Sequence, residues 1–268
     1  MKGNFNPGNY FYVCHMINII YKKKYMKTLR KASFLLLIGT FGVVSLRAQT
    51  ADDIVNKHLD ALGGKALVTG IKSLYTESSV EVKDMGQQAT NTTSILNGKG
   101  FKSEAEYNGS RIIQVITDKN GWTVNPLIGQ MTPLALTDEQ VKIGQPQLQI
   151  GGPLVDYAGK GYKVELIGKD TAGGVTDYKL RLTGTAGLEA TYYVNGKTWL
   201  LDKEIDKVNA NGQEVETTIT YSDYKKTDAG LVLAGTRSVA LPQYTLTITN
   251  TKIEVNKDID PKIFDMPK

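Results

Sequence analysis

The sequence has little cysteine and little histidine. Its 268 residues include one cysteine, Cys14, and two histidines. Residues 49–268 contain no thiol and no histidine apart from His58. This part of the chain therefore lacks the residues for a disulfide, a thiol nucleophile, a cysteine–histidine pair or a metal site built from nitrogen and sulfur ligands. We expect a protein that is not an enzyme and that uses no cofactor and no metal.

The remaining polar residues give little sign of catalysis. His58 follows Ile54 by four residues and Val55 by three, so we expect it to pack at a helix–sheet seam. Most carboxylates alternate with Lys or Thr, which is typical of a solvated strand face. A carboxylate pair for glycoside hydrolysis stays open, although no spacing favours one. Carboxylates clustered in a deep cleft would favour an enzyme.

The basic character of the chain comes from its first 48 residues. The whole sequence has 32 basic and 27 acidic residues and a net charge of +5. Residues 1–48 hold eight of the basic residues and no acidic ones, so the remainder has 24 basic against 27 acidic residues, a net charge of −3. A nucleic-acid-binding protein needs a basic face, so we expect no nucleic acid partner.

Residues 1–48 are expected to be an upstream segment and a signal peptide. Lys27, Arg30 and Lys31 precede an apolar stretch at 32–46, and Ala48 offers a small residue for cleavage. The stretch is short for a membrane-spanning helix, although a membrane anchor stays open. Met26 is the expected start, with residues 1–25 as translated upstream sequence. We expect residues 49–268 to form one exported domain, whose length can support an apolar core.

Asn-Gly dipeptides are the most frequent turn signal in the chain. They flank segments rich in Val, Ile, Thr and Tyr, as expected for hairpins with type I′ turns. The sequence therefore predicts a long antiparallel meander. The five dipeptides are Asn97-Gly98, Asn108-Gly109, Asn120-Gly121, Asn195-Gly196 and Asn211-Gly212.

Hydrophobic periodicity predicts an amphipathic helix at 51–62, capped by Thr50, with another turn or two at 65–71. A bulge is expected near 249–251, where the apolar parity of the last strand switches. Prolines interrupt the meander at 131–161, for which we predict short helices and loops that act as a lid or binding segment. The predicted strands lie at about 73–84, 88–97, 100–107, 111–118, 122–127, 162–169, 175–183, 188–195, 198–208, 213–225, 231–240 and 243–255.

A meander of this length favours an enclosed cavity. Barrels with more than eight strands, and open curved sheets, tend to leave space inside. The N-terminal helix and the 131–161 segment are expected to cover it, and the remaining space is expected to be apolar and suited to an acyl chain. The alternative is that the helices fill the space completely.

Several segments resemble the LolA-like outer-membrane lipoprotein carriers. The order of an acidic turn, a Trp strand, an Asn-Pro pair and a Gln-containing return is similar to that family's strand pair, and the opening helix with its Gly-Gly end resembles Bacteroidetes-type members. The segments are 116–126 (ITDKNGWTVNP), 130–134 (QMTPL), 151–155 (GGPLV), 193–203 (YVNGKTWLLDK), 221–225 (YSDYK) and 259–267 (IDPKIFDMP).

The resemblance implies a mainly β, α+β fold: a half-open barrel of about eleven antiparallel strands, with an N-terminal helix and short lid helices. It also implies a monomeric periplasmic carrier that shields lipoprotein acyl chains, with transport partners at the inner and outer membranes. The family's carriers hold the lid with an arginine on an early strand. Here the nearest position is Lys99, and Arg111 lies elsewhere, so these two residues are the candidates for lid interaction. Lysine lacks arginine's planar fork.

Apolar side chains in strands and lid are the candidates for ligand contact. Their role would be burial of the ligand, with no directional chemistry. The alternative function is a non-catalytic envelope interaction or sensor module with the same fold and no lipid cargo. The predicted lining residues are Ile113, Val115, Trp122, Val124, Leu148, Ile150, Leu154, Trp199 and Leu201.

Overall fold

The computed structural model describes most of the chain beyond the predicted leader. The predicted signal peptide, Cys14 and the Asn211-Gly212 turn lie outside the described residues. No helix in this part of the chain is long and apolar enough to cross a membrane. The described residues are 49–267, with the exception of 84, 173, 185–186, 211–212 and 242–243.

Two short helices open the fold, as predicted. Helix α1 (Ala51–Ala61) begins at Thr50, whose hydroxyl accepts from the Asp53 backbone N–H while the Asp53 carboxylate accepts from the Thr50 backbone N–H. This reciprocal capping satisfies two N–H groups that the helix start leaves unpaired. Helix α2 (Lys65–Gly70) follows after the Gly-Gly pair.

In the described part of the chain, thirteen antiparallel strands form one sheet that does not close into a barrel. The order across the sheet is β6-β5-β4-β3-β2-β1-β15-β14-β11-β10-β9-β8-β7, and a separate pair, β12 and β13, forms a small hairpin. The strands are β1 (Ser73–Val82), β2 (Gln87–Leu96), β3 (Gly100–Tyr107), β4 (Ser110–Thr117), β5 (Gly121–Asn125), β6 (Gln130–Ala135), β7 (Lys163–Ala172), β8 (Val175–Thr183), β9 (Glu189–Asn195), β10 (Leu201–Ala210), β11 (Gln213–Ser222), β12 (Lys225–Lys226), β13 (Val232–Leu233), β14 (Thr236–Ala240) and β15 (Thr245–Val255).

The sheet consists of two meanders joined where β1 pairs with β15. Along this seam Glu77 pairs with Lys252 and Ser78 pairs with Asn250, so Thr251 is the extra residue of a bulge. This confirms the bulge that the parity switch predicts. The open form agrees with the predicted half-open barrel, with β6 and β7 at its two ends.

The Asn-Gly turns mark hairpins, but they adopt different conformations. Asn108 and Gly109 have φ of 49° and 75°, the left-handed pair that a type I′ turn needs. At Asn97-Gly98 only the glycine has a positive φ, because three residues connect β2 to β3. Gly121 and Gly196 have no positive φ, and Gly121 already begins β5. The prediction of type I′ geometry is therefore wrong at three of the four described turns, because loop length and strand register select the turn type.

The 131–161 segment is only partly as predicted. Its first residues form β6, an edge strand with Pro133 in it, where a missing N–H is tolerated. Helix α3 (Asp138–Gly144) is one of the predicted short helices, and it begins with a cap in which Thr137 accepts from the Gln140 backbone N–H. A 3-10 helix (Gln145–Leu148) follows it.

The main core lies between the opening helices and one half of the sheet. Ile54 of α1 and Val68 of α2 are fully buried against Leu180 and Leu182 of β8 and against Leu231. The 150–155 segment packs into the same cluster. The helices thus cover the β7–β10 half of the sheet and leave the other half less covered.

Helix α3 packs so closely on the sheet that Gly144 has no room for a side chain. A Cβ atom there would overlap Cδ1 of Ile116, which is fully buried in β4. We expect Gly144→Ala to lower the free energy of unfolding by about 1–3 kcal/mol. Ile116→Val removes Cδ1 and alone costs about 0.5–1.5 kcal/mol. In a double-mutant cycle measured by urea denaturation, the double variant should lose less free energy of unfolding than the two single variants lose together. Additive losses would show that the two sites are not in contact.

Candidate functional site

A cavity of about 1260 Å³ lies between the sheet and the helical segment. Its floor is formed by alternate residues of β1–β5, β10, β11, β14 and β15, and its cover by residues 134–154 together with the end of α1. Because successive side chains of a strand point to opposite faces, one parity of each strand faces the cavity. The helices therefore leave a space of this volume above the sheet.

Three apolar clusters reach the cavity. Val80, Leu246 and Ile248 belong to one on β1 and β15, Phe101 and Leu136 to a second beneath α3, and Leu154 and Leu201 to the main core. An aliphatic chain placed along these clusters would be removed from water over much of its length.

The cavity floor is more polar than predicted. Between the apolar clusters, β1–β5 present hydroxyl and amide side chains to the space. The space is therefore apolar only in part, because several strands alternate apolar and polar residues in the sense opposite to the one expected. The polar lining residues of these strands are Thr76, Asn91, Thr93, Ser103, Gln114, Thr123 and Asn125.

Two carboxyl groups of β10, those of Glu204 and Asp206, lie in the cavity wall. Glu204 is 9% exposed and accepts a hydrogen bond from the Tyr221 hydroxyl. Burial, followed by the charge and the hydrogen bond of Glu204, raises the pKa of Asp206 to about 9. Asp206 is therefore protonated at neutral pH. Burial raises the pKa of Tyr192 and that of Tyr221, both of which lie beside Glu204.

The pair meets the clustering condition that would favour an enzyme, but its spacing is wrong for glycoside hydrolysis. Carboxyl groups that act on a glycosidic bond stand about 5 Å apart or more, so that the sugar or a water fits between them. Glu204 instead acts on Asp206 at close range, by its charge and by hydrogen bonding, when it raises the pKa of Asp206. Among the described residues no grouping of three or more His, Cys, Asp or Glu could hold a metal ion.

The raised pKa of Asp206 predicts a pH-dependent stability. Between its ordinary value of 3.8 and about 9, Asp206 is protonated in the folded chain and ionised in the unfolded chain. Folding takes up a proton in this window, so stability falls as pH rises, by up to about 1.4 kcal/mol per pH unit. Asp206→Asn keeps a donor to Glu204 and should flatten this slope in urea titrations. An unchanged slope between pH 5 and about pH 8 would contradict the assignment.

Four of the predicted lining residues lie on the outer face of the sheet. Ile113, Val115, Trp122 and Val124 pack against Phe264 of the C-terminal 3-10 helix (Pro261–Phe264). The Trp122 indole N–H donates to the Phe264 carbonyl oxygen at 2.9 Å. Their neighbours of opposite parity line the cavity instead. The prediction of cavity lining is therefore wrong for these four, because β4 is apolar on both faces and its alternation does not show which face is covered.

The other five predicted residues lie on the inner side. Leu154 and Leu201 line the cavity, whereas Ile150 and Trp199 belong to the main core. Leu148 packs beneath α3 with Ile116 and does not line the space. Trp199 has a φ of 61° and stacks on Tyr178 with ring centroids 5.4 Å apart. Neither tryptophan lines the cavity, so a shift of tryptophan emission is not the expected sign of ligand binding.

Lys99 and Arg111 do not have the predicted lid contact. Arg111 projects from the outer face of β4 and pairs with Glu104 on β3, opposite to the side that the lid covers. Lys99 lies in the β2–β3 turn beside a second cavity of about 510 Å³ near the C-terminal segment. The contact of this turn with the lid is made by its first two residues: Gly98 N–H donates to the Leu148 carbonyl oxygen at 2.8 Å, and Asn97 Oδ1 accepts from the Ile150 N–H at 3.1 Å.

His58 has the packing role that the sequence predicts. Its side chain is 2% exposed, and Nδ1 donates to the Trp199 carbonyl oxygen at 2.8 Å. Burial lowers the pKa of His58, although this hydrogen bond opposes the shift. The ring thereby ties α1 to the turn before β10 in its neutral form.

Several lining residues were missed although their strands carry the signal. Ile219 belongs to the alternating apolar face of β11, and Leu246 and Ile248 share one parity on β15. The alternation identifies one face of each strand as buried. It does not show that this face borders a cavity, because that depends on how far the helices extend over the sheet.

Solved structures show the same architecture. A LolA superfamily protein from Nitrosomonas europaea is 15% identical, with a TM-score of 0.57, over 81% of this chain and 98% of that one. The fold of this chain is LolA-like. This LolA-like fold also occurs in a DUF1329 family protein from Desulfovibrio piger, at 13% identity and a TM-score of 0.55, over 81% of this chain and 98% of that one.

A third structure, described as an outer membrane lipoprotein-sorting protein domain from Vibrio parahaemolyticus, is 12% identical with a TM-score of 0.53, over 80% of this chain and 97% of that one. No protein-family model matches the sequence, and no curated protein matches it. At these identities the likeness establishes the LolA-like fold alone.

Proposed function

We propose that this protein is a carrier or binding protein that shields the acyl chains of lipidated proteins, or another hydrophobic ligand, in the sheet cavity. The observation that carries the proposal is the cavity of about 1260 Å³ that the helices leave unfilled, with apolar clusters at three places on its wall. Ligand pockets commonly have volumes of about 300–1,000 Å³, so this space is large enough for a long aliphatic chain.

The proposed setting is the periplasm, with membrane-bound partners that deliver and accept the cargo. The basic and apolar leader at 27–48 supports export, and the fold likeness to a lipoprotein-sorting domain supports a role in sorting to the outer membrane. We propose a monomer that uses no cofactor, because burial of an acyl chain requires none.

Binding of acyl chains is the direct test. The exported protein, purified and stripped of lipid, should bind a hydrophobic fluorophore that fatty acids displace, and native mass spectrometry before stripping should detect a co-purified lipid. Neither co-purified lipid nor displacement by any member of a chain-length series would contradict the proposal.

A second candidate is an envelope interaction or sensor module without lipid cargo. The observation in its favour is the edge strand β6, whose apolar side chains Met131 and Leu134 are 71% and 58% exposed. Exposed apolar side chains beside an open strand edge are typical of a protein contact. Failure of every acyl ligand to bind, together with loss of a partner contact in Met131→Ser, would favour this function.

A further inference from the structure

A single arginine projects into the cavity from the middle of the sheet. Arg237 lies on β14, where its neighbours across the strands are Tyr221 of β11 and Ile248 of β15. All three side chains line the cavity. Val239, two residues further along β14, lines it as well, so Arg237 shares this part of the wall with two aliphatic side chains and the Tyr221 phenol.

Arg237 differs from the other two arginines of the described chain. On the outer face, Arg111 pairs with Glu104, and Arg181 pairs with Glu165 at 2.9 Å. Within the described residues, Arg237 forms no hydrogen bond and no ion pair, and its side chain is exposed. Its five N–H donors are therefore open to a molecule in the cavity.

The acidic pair of the cavity is already engaged with other groups. Glu204 accepts from the Tyr221 hydroxyl, so Tyr221 takes up the carboxylate that could otherwise turn toward Arg237. Burial, followed by the charge of Glu204, raises the pKa of Asp206 to about 9, so Asp206 is neutral at neutral pH. Arg237 is thus left as a cation whose charge an anion bound in the cavity could neutralise.

We propose that Arg237 is the headgroup subsite of the cavity and binds the carboxylate or phosphate of an anionic amphiphile. This inference rests on the proposed function and narrows its ligand class. The planar guanidinium can donate two parallel hydrogen bonds to either oxyanion, while the adjoining Val80, Leu246 and Ile248 cluster takes the first part of the chain.

Three amphiphiles that have alkyl chains of the same length but different headgroups test the proposal: dodecanoate, dodecyl phosphate and neutral dodecanol. Each displaces a fluorophore from the full exported protein at neutral pH. At least one of the two anions should bind about tenfold or more tightly than dodecanol, as a charge-assisted hydrogen bond provides. Which anion is preferred distinguishes a fatty-acid head from a lipid phosphate. Arg237→Gln should abolish the preference while dodecanol binding stays unchanged.

Arg181→Gln is the matched control, because it removes the same charge from the outer face and should keep the preference. Equal binding of all three probes by the native protein, or a preference that survives in Arg237→Gln, would overturn the headgroup assignment while leaving the carrier function intact. Absence of binding by all three probes would overturn both. Circular dichroism of Arg237→Gln and its dodecanol affinity together report whether the variant is folded.

Discussion

Replacing Thr93 with tryptophan should weaken acyl-chain binding about tenfold or more. Thr93 lies near the middle of β2 and its side chain lines the cavity. An indole at this position would occupy space that the chain needs, and forcing extra atoms into a filled site costs about 1–3 kcal/mol. Fluorophore displacement by a chain-length series measures the effect, and the longest chains should lose the most affinity.

The neighbouring threonine supplies a matched control for this experiment. Thr92 has the same side chain on the same strand but the opposite face, between Glu77 and Glu104. Thr92→Trp should leave affinity within about twofold of the native value. Thr93→Val separates loss of the hydrogen bond from Asn91 Nδ2, at 3.1 Å, from filling of the cavity. Equal affinities in Thr93→Trp and Thr92→Trp would show that the ligand does not occupy this space.

Truncation of Phe264 to alanine should strongly destabilise the protein without changing its affinity for the ligand. Phe264 is 5% exposed and covers Val115 and Trp122 on the outer face. Its ring lies so close to β3 that a Cβ at Gly100 would be 2.8 Å from it. Removal of a buried phenyl ring costs about 3–5 kcal/mol, so Phe264→Ala should lower the urea midpoint strongly. The Trp122 indole should become more exposed to solvent, and its fluorescence emission should shift to longer wavelength.

Ligand affinity of the folded Phe264→Ala protein decides the role of the outer cluster. Since none of its members lines the cavity, the affinity should equal the native value at low urea. Met266→Ala is the control, because Met266 lies in the same segment but is 44% exposed and should change stability by less than about 0.5 kcal/mol. A large loss of affinity in Phe264→Ala would mean that Val115 and Trp122 bind ligand after all.

Local signals predicted the elements well where the chain's own neighbours decide the outcome. The Thr50 and Thr137 caps begin α1 and α3, since a cap forms between residues three apart. The parity switch in β15 locates the bulge at Thr251, because one extra residue moves every later side chain to the other face. The hairpins likewise follow from turn residues, although their turn types do not.

The candidate site was harder to predict because two faces of the sheet are covered. On β4, Ile112 lines the cavity while Ile113 contacts the outer cluster, and a run of isoleucines does not distinguish them. On β5, the polar Thr123 and Asn125 face the cavity and the apolar Trp122 and Val124 face away from it. A prediction that assigns the apolar side chains of a strand to the cavity therefore assigns the wrong face of β5 to it.

The amino-acid pattern by itself determined the antiparallel meander, the capped helices and the absence of cysteine chemistry from residues 49–268, since each depends on neighbours in the chain or on composition. Only the tertiary structure decided which face of each strand borders the cavity. That choice rests on contacts between distant residues, such as Trp122 with Phe264 and α1 with β8, whose burial depends on where whole elements come to lie. Arg237 became a candidate site in the same way, because only the assembled sheet shows which side chains lie beside it and that none of the described ones forms an ion pair with it.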